Sequence, residues 1–224
     1  MKVLHLNSDL DGGANRATYR LHKGLQGIGI DSQMLVPYKL EDDYTIVGAT
    51  TRIGKIVGET RRLLDQLPLR FYPRRGKNIF SPAILPDKLP QKIANSCPDV
   101  IHLHWILNGF MRIETLRHFH KPIVWTLHDM WPFTGGCHYD ENCGRYKKDC
   151  GRCPMLSSKK MKDLSYKIMR RKKKAWRNLE ITIITPSHWL AKCARASSLF
   201  HDLRIEVIPN GLDLRKFGPV VKNV

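Results

Sequence analysis

Four of the six cysteines in this 224-residue chain lie within a stretch of 17 residues. Cys137, Cys143, Cys150 and Cys153 follow the spacing C-x5-C-x6-C-x2-C, and the last pair has the separation found in zinc knuckles. The first pair is wider than usual for zinc, so disulfides and free thiols stand as alternatives to a structural zinc ion. Because four cysteines would close the coordination shell, no catalytic metal is expected.

A second set of reactive side chains consists of histidines on, or just after, predicted strands. His102 and His104 share one face of their strand, because Leu103 lies between them. They can meet His128 only if the two strands are neighbours, and a strand histidine is more often a core residue than a catalyst. His128 and Asp129 directly follow the next apolar run, where ligands of parallel sheets bind, so this pair is the better candidate for function.

The turn after the first predicted strand, Asp11 to Arg16, places Gly12 and Gly13 before the first helix. Glycines let a ligand approach the backbone, and a helix N-terminus offers N–H groups to a phosphate. The segment lacks the G-x-G-x-x-G pattern and the Walker lysine, which argues against ordinary dinucleotide or P-loop binding. An anion-binding loop and a simple tight turn remain as the two interpretations.

Positive charge is concentrated in one segment. The chain has 38 Lys and Arg against 20 Asp and Glu, a net charge of +18, and ten of the basic residues lie between Lys159 and Arg177 with one acid. Such an excess points to an anionic partner. Apolar residues at helical spacing predict an amphipathic helix over about 159–178, with a basic face that is either merely solvated or attracted to an anionic membrane. We expect membrane attraction, carried by Arg170, Arg171, Lys172, Lys173 and Lys174.

Apolar runs and helical patterns alternate along the chain. The predicted strands cover residues 3–7, 32–36, 99–105, 122–128, 181–185 and 205–208, and Ser187 is placed to cap a helix over 188–197. This order predicts an α/β fold, a parallel Rossmann-like sheet with helices on both faces. The polar, Gly-rich and His-rich residues fall at the carboxyl ends of the strands, where such sheets bind ligands.

The composition limits the class of protein. Hydrophobic residues make up 42% and charged residues 26%, as in ordinary globular proteins, and no apolar stretch approaches the roughly 20 residues that cross a bilayer. The first apolar run is too short for a signal peptide, so the expected location is the cytoplasm. A nucleic-acid-binding protein would explain the charge and the cysteines, but no nucleic-acid motif is present, and we expect no nucleic-acid partner.

Several longer motifs resemble a known family. The segments GGA, DVIHLHW, TLHDMWPFTGGCHY, CGRCP, TPSHWL and VIPNGLD together resemble the retaining GT-B glycosyltransferases, and more narrowly those that build bacterial exopolysaccharides such as colanic acid. The resemblance covers nearly the whole chain. It implies an enzyme of two Rossmann-like domains, of which the N-terminal one binds the acceptor and the C-terminal one binds the nucleotide-sugar. Residues 1–217 would form the N-terminal domain, with a Cys-rich loop at about 135–156, and residues 218–224 would begin the interdomain linker.

The resemblance also implies roles for individual residues. Gly12 and Gly13 would face the donor diphosphate, and His128 would be the catalytic residue that contacts the donor sugar. The residues expected on the acceptor side are Asn15, Arg16, His104, Asp129 and Trp131.

The implied reaction moves a sugar from a nucleotide-sugar to a lipid-linked or polysaccharide acceptor, with retention, at the inner face of the plasma membrane. Without a donor domain, these 224 residues alone are expected to be inactive. The alternative is a noncatalytic acceptor- or membrane-binding subunit that pairs with a separate donor-domain chain.

Overall fold

The computed structural model describes residues 1–40, 42–212, 214, 217 and 218. Its centre is one sheet of seven parallel strands in the spatial order β3-β2-β1-β4-β5-β6-β7. The strands are β1 Lys2–Leu6, β2 Asp31–Tyr38, β3 Ile46–Ala49, β4 Val100–Leu103, β5 Ile123–Thr126, β6 Ile181–Thr185 and β7 Arg204–Val207. The parallel Rossmann-like sheet expected from the sequence is confirmed.

The helices connect the strands and leave a crevice at one point of the sheet. They are α1 Gly13–Gly27, α2 Arg52–Asp65, α3 Leu89–Ser96, α4 Leu164–Ala175 and α5 His188–Arg195. The chain runs outwards from β1 through β2 to β3, and then returns to place β4 on the other side of β1. The loops after β1 and β4 therefore diverge, and a ligand crevice forms at their carboxyl ends.

Alternation along the central strands sorts their side chains onto two different faces. One face is apolar, and its fully buried residues include Leu4, Leu6, Ile101, Leu103 and Trp125. The opposite face carries His5, which lies in register with His102 on the neighbouring strand. The core histidines thus lie on a single face of the sheet and lead towards the crevice.

Two helix starts follow from their capping residues. Ser187 caps α5 as predicted, and its hydroxyl accepts from the N–H of Leu190 at 3.3 Å. The basic helix α4 begins only at Leu164, because the buried carboxylate of Asp163 caps it and accepts from the N–H of Tyr166 at 3.2 Å. The predicted start near residue 159 is therefore too early, and the lysines before Asp163 lie outside the helix.

The Cys-rich loop has little regular structure. Between residues 134 and 158 it contains only two 3₁₀ turns, Arg145–Lys147 and Pro154–Leu156. The VIPNGLD segment begins at Val207, the last residue of β7, but its own last residue, Asp213, and the predicted linker after Gly218 lie outside the described residues. Among the described helices, none combines the length and the apolar character that crossing a bilayer requires.

Candidate functional site

An open cleft of about 650 Å³ lies at the carboxyl edge of the sheet, where the strand order reverses. Asp9 and Gly13 from the loop after β1, Trp105 after β4, and His128 and Asp129 after β5 contribute to its walls. The lining is completed by Ala14, Lys77, Asn78, Ile79, His138, Tyr139 and Glu141. The structure therefore brings the glycine loop and the His128-Asp129 pair together, although they are far apart in the sequence.

An acidic side chain already caps the N-terminus of α1. The carboxylate of Asp9 accepts hydrogen bonds from the N–H of Gly12 at 3.1 Å and from the N–H of Asn15 at 3.0 Å. Gly12 permits this approach, because a Cβ at this position would lie 2.5 Å from Asp9 Oδ2. Gly13 has open space where a Cβ would stand and lines the cleft. Two of the amide groups that would receive a phosphate are thus already occupied.

His128 is the last member of a row of hydrogen-bonded histidines. Nδ1 of His5 lies 3.1 Å from Nε2 of His104, and Nδ1 of His104 lies 3.1 Å from Nε2 of His128. His102 stacks on His104, with 4.3 Å between ring centroids, and bonds to the hydroxyl of Thr126 at 2.8 Å. The contact between His104 and His128 exists because β4 and β5 are neighbours.

Burial keeps these histidines neutral. It lowers the pKa of His102 to about 4, and the neighbouring His128 adds to this effect. Burial also lowers the pKa of His5 and of His104 well below the usual value, and nearby histidines again add to it. The pKa of His128 is lowered by burial too, but the carboxylate of Asp129 opposes this shift. His128 is therefore a neutral imidazole at neutral pH.

The row of histidines also determines which nitrogen His128 offers to the cleft. In a row of neutral rings, each ring either donates to the next one or accepts from it, so all tautomers are linked. His5 Nε2, at the closed end, is buried without a partner. Buried N–H groups without an acceptor are rare, so this nitrogen is assigned as the one without hydrogen. Each ring then donates from Nδ1 to the next Nε2, and His128 keeps an Nδ1–H for a ligand.

The same histidines are the candidate metal ligands that geometry alone selects. Within the described part of the chain, His5, His102 and His104 are the one group of three or more whose ligand atoms all lie within 4.8 Å of one another. However, the hydrogen bond between His5 and His104 already uses two of these nitrogens, and His102 bonds to Thr126. We interpret the group as a buried hydrogen-bond network.

Three donors fix the carboxylate of Asp129 at the wall of the cleft. Its Oδ2 accepts from His138 Nδ1 at 2.7 Å and from Trp105 Nε1 at 2.9 Å, and its Oδ1 accepts from the N–H of Trp131 at 2.8 Å. Burial alone would raise the pKa of Asp129, but the hydrogen bonds, with that from His138 foremost, outweigh burial and lower the pKa. Asp129 is therefore an ionised and rigidly oriented acceptor.

The partner of Asp129, His138, completes an arrangement that resembles a Ser-His-Asp triad. Ser81 Oγ lies 3.0 Å from His138 Nε2, and His138 Nδ1 bonds to Asp129. Ser81 is only 1% exposed, so a substrate cannot reach its hydroxyl. The arrangement serves to attach the start of the Cys-rich loop to the wall of the cleft.

The structure changes the assignment of the predicted acceptor-side residues. Trp131 turns into the core: it is 1% exposed, and its indole N–H donates to the carbonyl oxygen of Ser81 at 2.8 Å. The expectation that Trp131 faces the acceptor is therefore wrong. His104 lies behind His128 and acts only through it, whereas Asn15 braces the loop by donating to the carbonyl oxygen of Leu10 at 2.7 Å. Arg16 is exposed but does not line the cleft.

The predicted membrane-binding residues on α4 also divide into two groups. Lys172 is fully buried, and its Nζ donates to the carbonyl oxygens of Trp131 and Thr134. It cannot contact a membrane, and its place in the predicted set is corrected. Arg171 forms an ion pair with Glu114, and Lys173 forms one with Asp149.

The remaining two predicted residues stay on the surface. Arg170 and Lys174 are exposed, and they share one helix face with the exposed Lys167. The face of α4 that a membrane could contact is thus much smaller than the count of its basic residues suggests.

The four clustered cysteines come together in the Cys-rich loop, which precedes α4. Cys137, Cys143, Cys150 and Cys153 line one small cavity, and no disulfide links any of these four residues.

Sequence reasoning missed several groups at the cleft. Asp9 precedes the glycine loop, Trp105 ends the DVIHLHW segment, and His138 adjoins the first clustered cysteine. Each of these residues lies in or beside a motif recognised in the sequence, and this position could have indicated a place at the cleft. A further pair is visible only in the structure: Tyr139, which lines the cleft, stacks on Trp189 with 6.3 Å between ring centroids, and both rings are about half exposed.

Fold and cleft define a Rossmann-like domain with an open cleft at the carboxyl edge of its parallel sheet, the edge at which such folds bind ligands. Residues 11–216 match Glycosyltransferase Family 4, and the chain belongs to this family. The resemblance to exopolysaccharide glycosyltransferases of the GT-B type is thereby confirmed.

Two relatives illustrate this membership. The chain is 25% identical over 230 residues to a proposed colanic acid biosynthesis glycosyl transferase, WcaC, of Escherichia coli (strain K12), with 96% of this chain and 55% of WcaC covered. Its fold is similar to that of sucrose-phosphate synthase (tll1590) from Thermosynechococcus elongatus, with a TM-score of 0.54 at 13% identity, over 98% of this chain and 50% of the synthase. The chain therefore spans about half the length of each relative.

Proposed function

We propose that this chain is the acceptor-binding half of a retaining glycosyltransferase. The reaction would transfer a sugar from a nucleotide-sugar to a lipid-linked or polysaccharide acceptor in exopolysaccharide or cell-envelope glycan synthesis. Membership of Glycosyltransferase Family 4 and the similarity to WcaC support this class of reaction. The location of the cleft at the strand reversal supports the assignment of the site.

The charge of the cleft is the observation that carries the acceptor role. Three carboxylates, those of Asp9, Asp129 and Glu141, line the cleft against one lysine, Lys77, although the whole chain has a net charge of +18. Carboxylates accept hydrogen bonds from sugar hydroxyls, but they repel a diphosphate. The cleft therefore suits a glycan, and the cations that bind the donor diphosphate must come from a second domain.

His128 is placed to act where the two substrates meet. Its ring is neutral and held by His104, and its Nδ1–H is available to a sugar hydroxyl. A hydrogen-bond donor that is already fixed in position before the reaction stabilises developing charge without reorganisation. Gly13, beside it in the lining, leaves open space in which the donor sugar could come close to the backbone.

The exposed aromatic pair at the rim offers a second contact to a glycan. Tyr139 lines the cleft, and Trp189 extends the stacked surface towards the N-terminus of α5. Aromatic rings provide flat apolar area at small cost in conformational entropy, and sugar rings have apolar faces of matching shape. We assign this pair to the acceptor.

A membrane-facing surface is better placed on α2 than on α4. The apolar side chains of α2 and of the segment after it are largely exposed, and they follow helical spacing; these are Ile53, Ile56, Val57, Leu63, Leu64, Leu67 and Phe71. Exposed cations flank them at Arg52, Lys55, Arg62, Arg70, Arg74 and Arg75. Apolar residues bordered by cations are typical of helices that lie in an anionic membrane interface.

A short segment of chain joins this surface to the cleft. The chain continues from Phe71 to residues 77–79, which line the cleft. A lipid-linked acceptor could therefore keep its diphosphate near the cations of α2 while its sugar enters the acidic cleft. Each cation near an anionic surface contributes about 1 kcal/mol of attraction.

The test of the enzymatic role uses the chain joined to a matching donor domain. The joined enzyme should transfer sugar with retained anomeric configuration, which NMR of the product determines. His128→Ala should lower turnover by at least about tenfold. Because His128→Ala also removes the acceptor of the buried His104 N–H, it should lower the melting temperature, so turnover is measured well below that temperature; the exposed His120→Ala serves as the control.

Calorimetry on residues 1–224 alone should show at most weak binding of nucleotide-sugar, because the cleft is acidic. Tight donor binding by this chain alone would contradict the half-enzyme assignment. Failure of the joined enzyme to transfer any sugar would favour a noncatalytic subunit instead.

The membrane surface is tested by sedimentation with vesicles. Ile53→Ser combined with Ile56→Ser should reduce binding to vesicles rich in phosphatidylglycerol, and higher salt should reduce it further. Ile28→Ser is the control, because Ile28 is 75% exposed at the end of a different helix. Equal binding of both variants would exclude α2 as the contact.

A further inference from the structure

The four clustered cysteines enclose a space of atomic size. Cys137, Cys143, Cys150 and Cys153 line a cavity of about 10 Å³. A space of this size admits one water molecule or one ion and excludes any organic ligand. The other two cysteines, Cys97 and Cys193, do not line it.

The loop that carries these cysteines is held by side-chain contacts and has little regular secondary structure. It has only two short 3₁₀ turns between residues 134 and 158, and several of its residues have left-handed backbone, namely Gly136, Glu141, Asn142, Gly144, Cys150, Gly151, Arg152 and Ser157. Such conformations are unfavourable for residues other than glycine. Long loops of this kind are uncommon in compact domains unless something fixes them. A metal bound at four points would do so.

Backbone donors point at two of the sulfur atoms. The N–H of Gly135 faces the sulfur of Cys150, and those of Met155 and Leu156 face the sulfur of Cys153. These groups oppose burial, which is the larger effect and raises the pKa of both thiols. Donors directed at sulfur stabilise the thiolate, which is the form that binds metals, and they orient it as groups around a metal site do.

A buried lysine lies near the cluster. Burial lowers the pKa of Lys172 well below its usual value, and the nearby Cys137 and Cys150 oppose this shift. Its Nζ lies 3.5 Å from the ring centroid of Trp131. Zinc with four thiolates has a net charge of −2. A cation beside such a centre offsets part of that charge where water is excluded.

Metal binding requires the sulfur atoms to move inwards. Four sulfurs at about 2.3 Å from zinc lie about 3.8 Å from one another. Among the described residues, no three of the clustered cysteines have sulfur atoms that all lie within 4.8 Å of one another. The ligand atoms of the three buried histidines do meet this limit. Rotation about χ1 displaces a cysteine sulfur by up to about 3 Å and leaves the backbone in place.

We infer that Cys137, Cys143, Cys150 and Cys153 bind one structural zinc ion. The ion would hold the loop that supplies His138 and Tyr139 to the cleft, and it would take no part in the reaction because four sulfurs close its coordination shell. This inference is independent of the proposed transferase activity.

The first measurement is the metal content of the full chain, purified without chelator under reducing conditions. Mass spectrometry of the elements should find about one zinc ion per chain, and X-ray absorption should find four sulfurs at about 2.3 Å. Cys150→Ser should lose most of the zinc, whereas Cys97→Ser, which changes an exposed cysteine outside the cluster, should keep it.

If Cys150→Ser does not fold, the wild-type protein still decides the question. Exchange of its metal for Co²⁺ should produce the visible absorption of tetrahedral cobalt thiolate, and a strong chelator should abolish it. Zinc below about 0.2 ions per chain in the wild type would overturn the inference. Disulfides among these four cysteines, found by rapid alkylation and peptide mass mapping, would overturn it as well.

Discussion

Lowering the pH from about 7 to about 5 should destabilise this fold through its buried histidines. The pKa of His102 falls from 6.5 in the unfolded chain to about 4 in the fold, mainly because of burial and also because of the nearby His128. As the pH falls, the unfolded chain therefore binds a proton first. The stabilising contribution is fully present above about pH 6.5 and is lost as the pH falls towards about 4.

The size of the effect follows from the two pKa values. With pKa values of 6.5 and about 4, one such histidine loses roughly 2 kcal/mol of stability between about pH 7 and pH 5. The pKa of His22 is also lowered to about 4, foremost by burial, so the two residues together lose about 4 kcal/mol. His5 and His104 change in the same direction. A loss of this size is a large part of the total stability of an ordinary domain.

The assay is urea unfolding at several pH values, followed by tryptophan fluorescence. His102→Gln can keep a hydrogen bond to Thr126 but cannot be protonated. Its free energy of unfolding should therefore depend less steeply on pH, because up to one proton fewer is taken up on unfolding. The exposed His120→Gln should keep the wild-type dependence.

Comparing variants cancels the contributions of the carboxylates. Asp65, whose pKa burial raises, and Asp129, whose pKa is lowered, are present in every variant. A pH dependence of His102→Gln identical to that of the wild type would refute the reasoning, because His102 would then bind its proton equally in both states.

Two further predictions concern single residues. Gly135→Ala should lower the free energy of unfolding by more than about 2 kcal/mol, because its Cβ would lie 2.4 Å from a backbone oxygen of Ser165. The control Gly24→Ala, in open space on α1, should raise the free energy of unfolding by about 0.5–1 kcal/mol. Asp163→Ala should lower the free energy of unfolding by about 2–4 kcal/mol, because this buried carboxylate both caps α4 and accepts from the N–H of Cys153. Ser187→Ala should lower it by only about 1 kcal/mol, because Ser187 only caps α5. Urea unfolding at neutral pH measures both; equal losses within either pair would contradict the corresponding explanation.

The sequence by itself determined all the described strands except β3, most of the helices and the edge of the sheet at which the polar residues gather. Strands appear as apolar runs, and a cap such as Ser187 acts within three residues, so these features depend on near neighbours along the chain. The glycine loop and the His128-Asp129 pair could be predicted as a site for the same reason. Each follows directly on a strand, and the carboxyl ends of parallel strands meet at one edge.

Only the tertiary structure decided which side chains turn inwards and which groups meet. Lys172 is one of five consecutive basic residues, and it is buried because carbonyl groups about 40 residues earlier in the chain accept its hydrogen bonds. Trp131 follows the predicted site but enters the core, where its indole finds an acceptor 50 residues away in sequence. The row from His5 to His128 exists only because β4 lies between β1 and β5. Contacts of this kind depend on strand order and on distant partners, and a local pattern of residues carries no information about either.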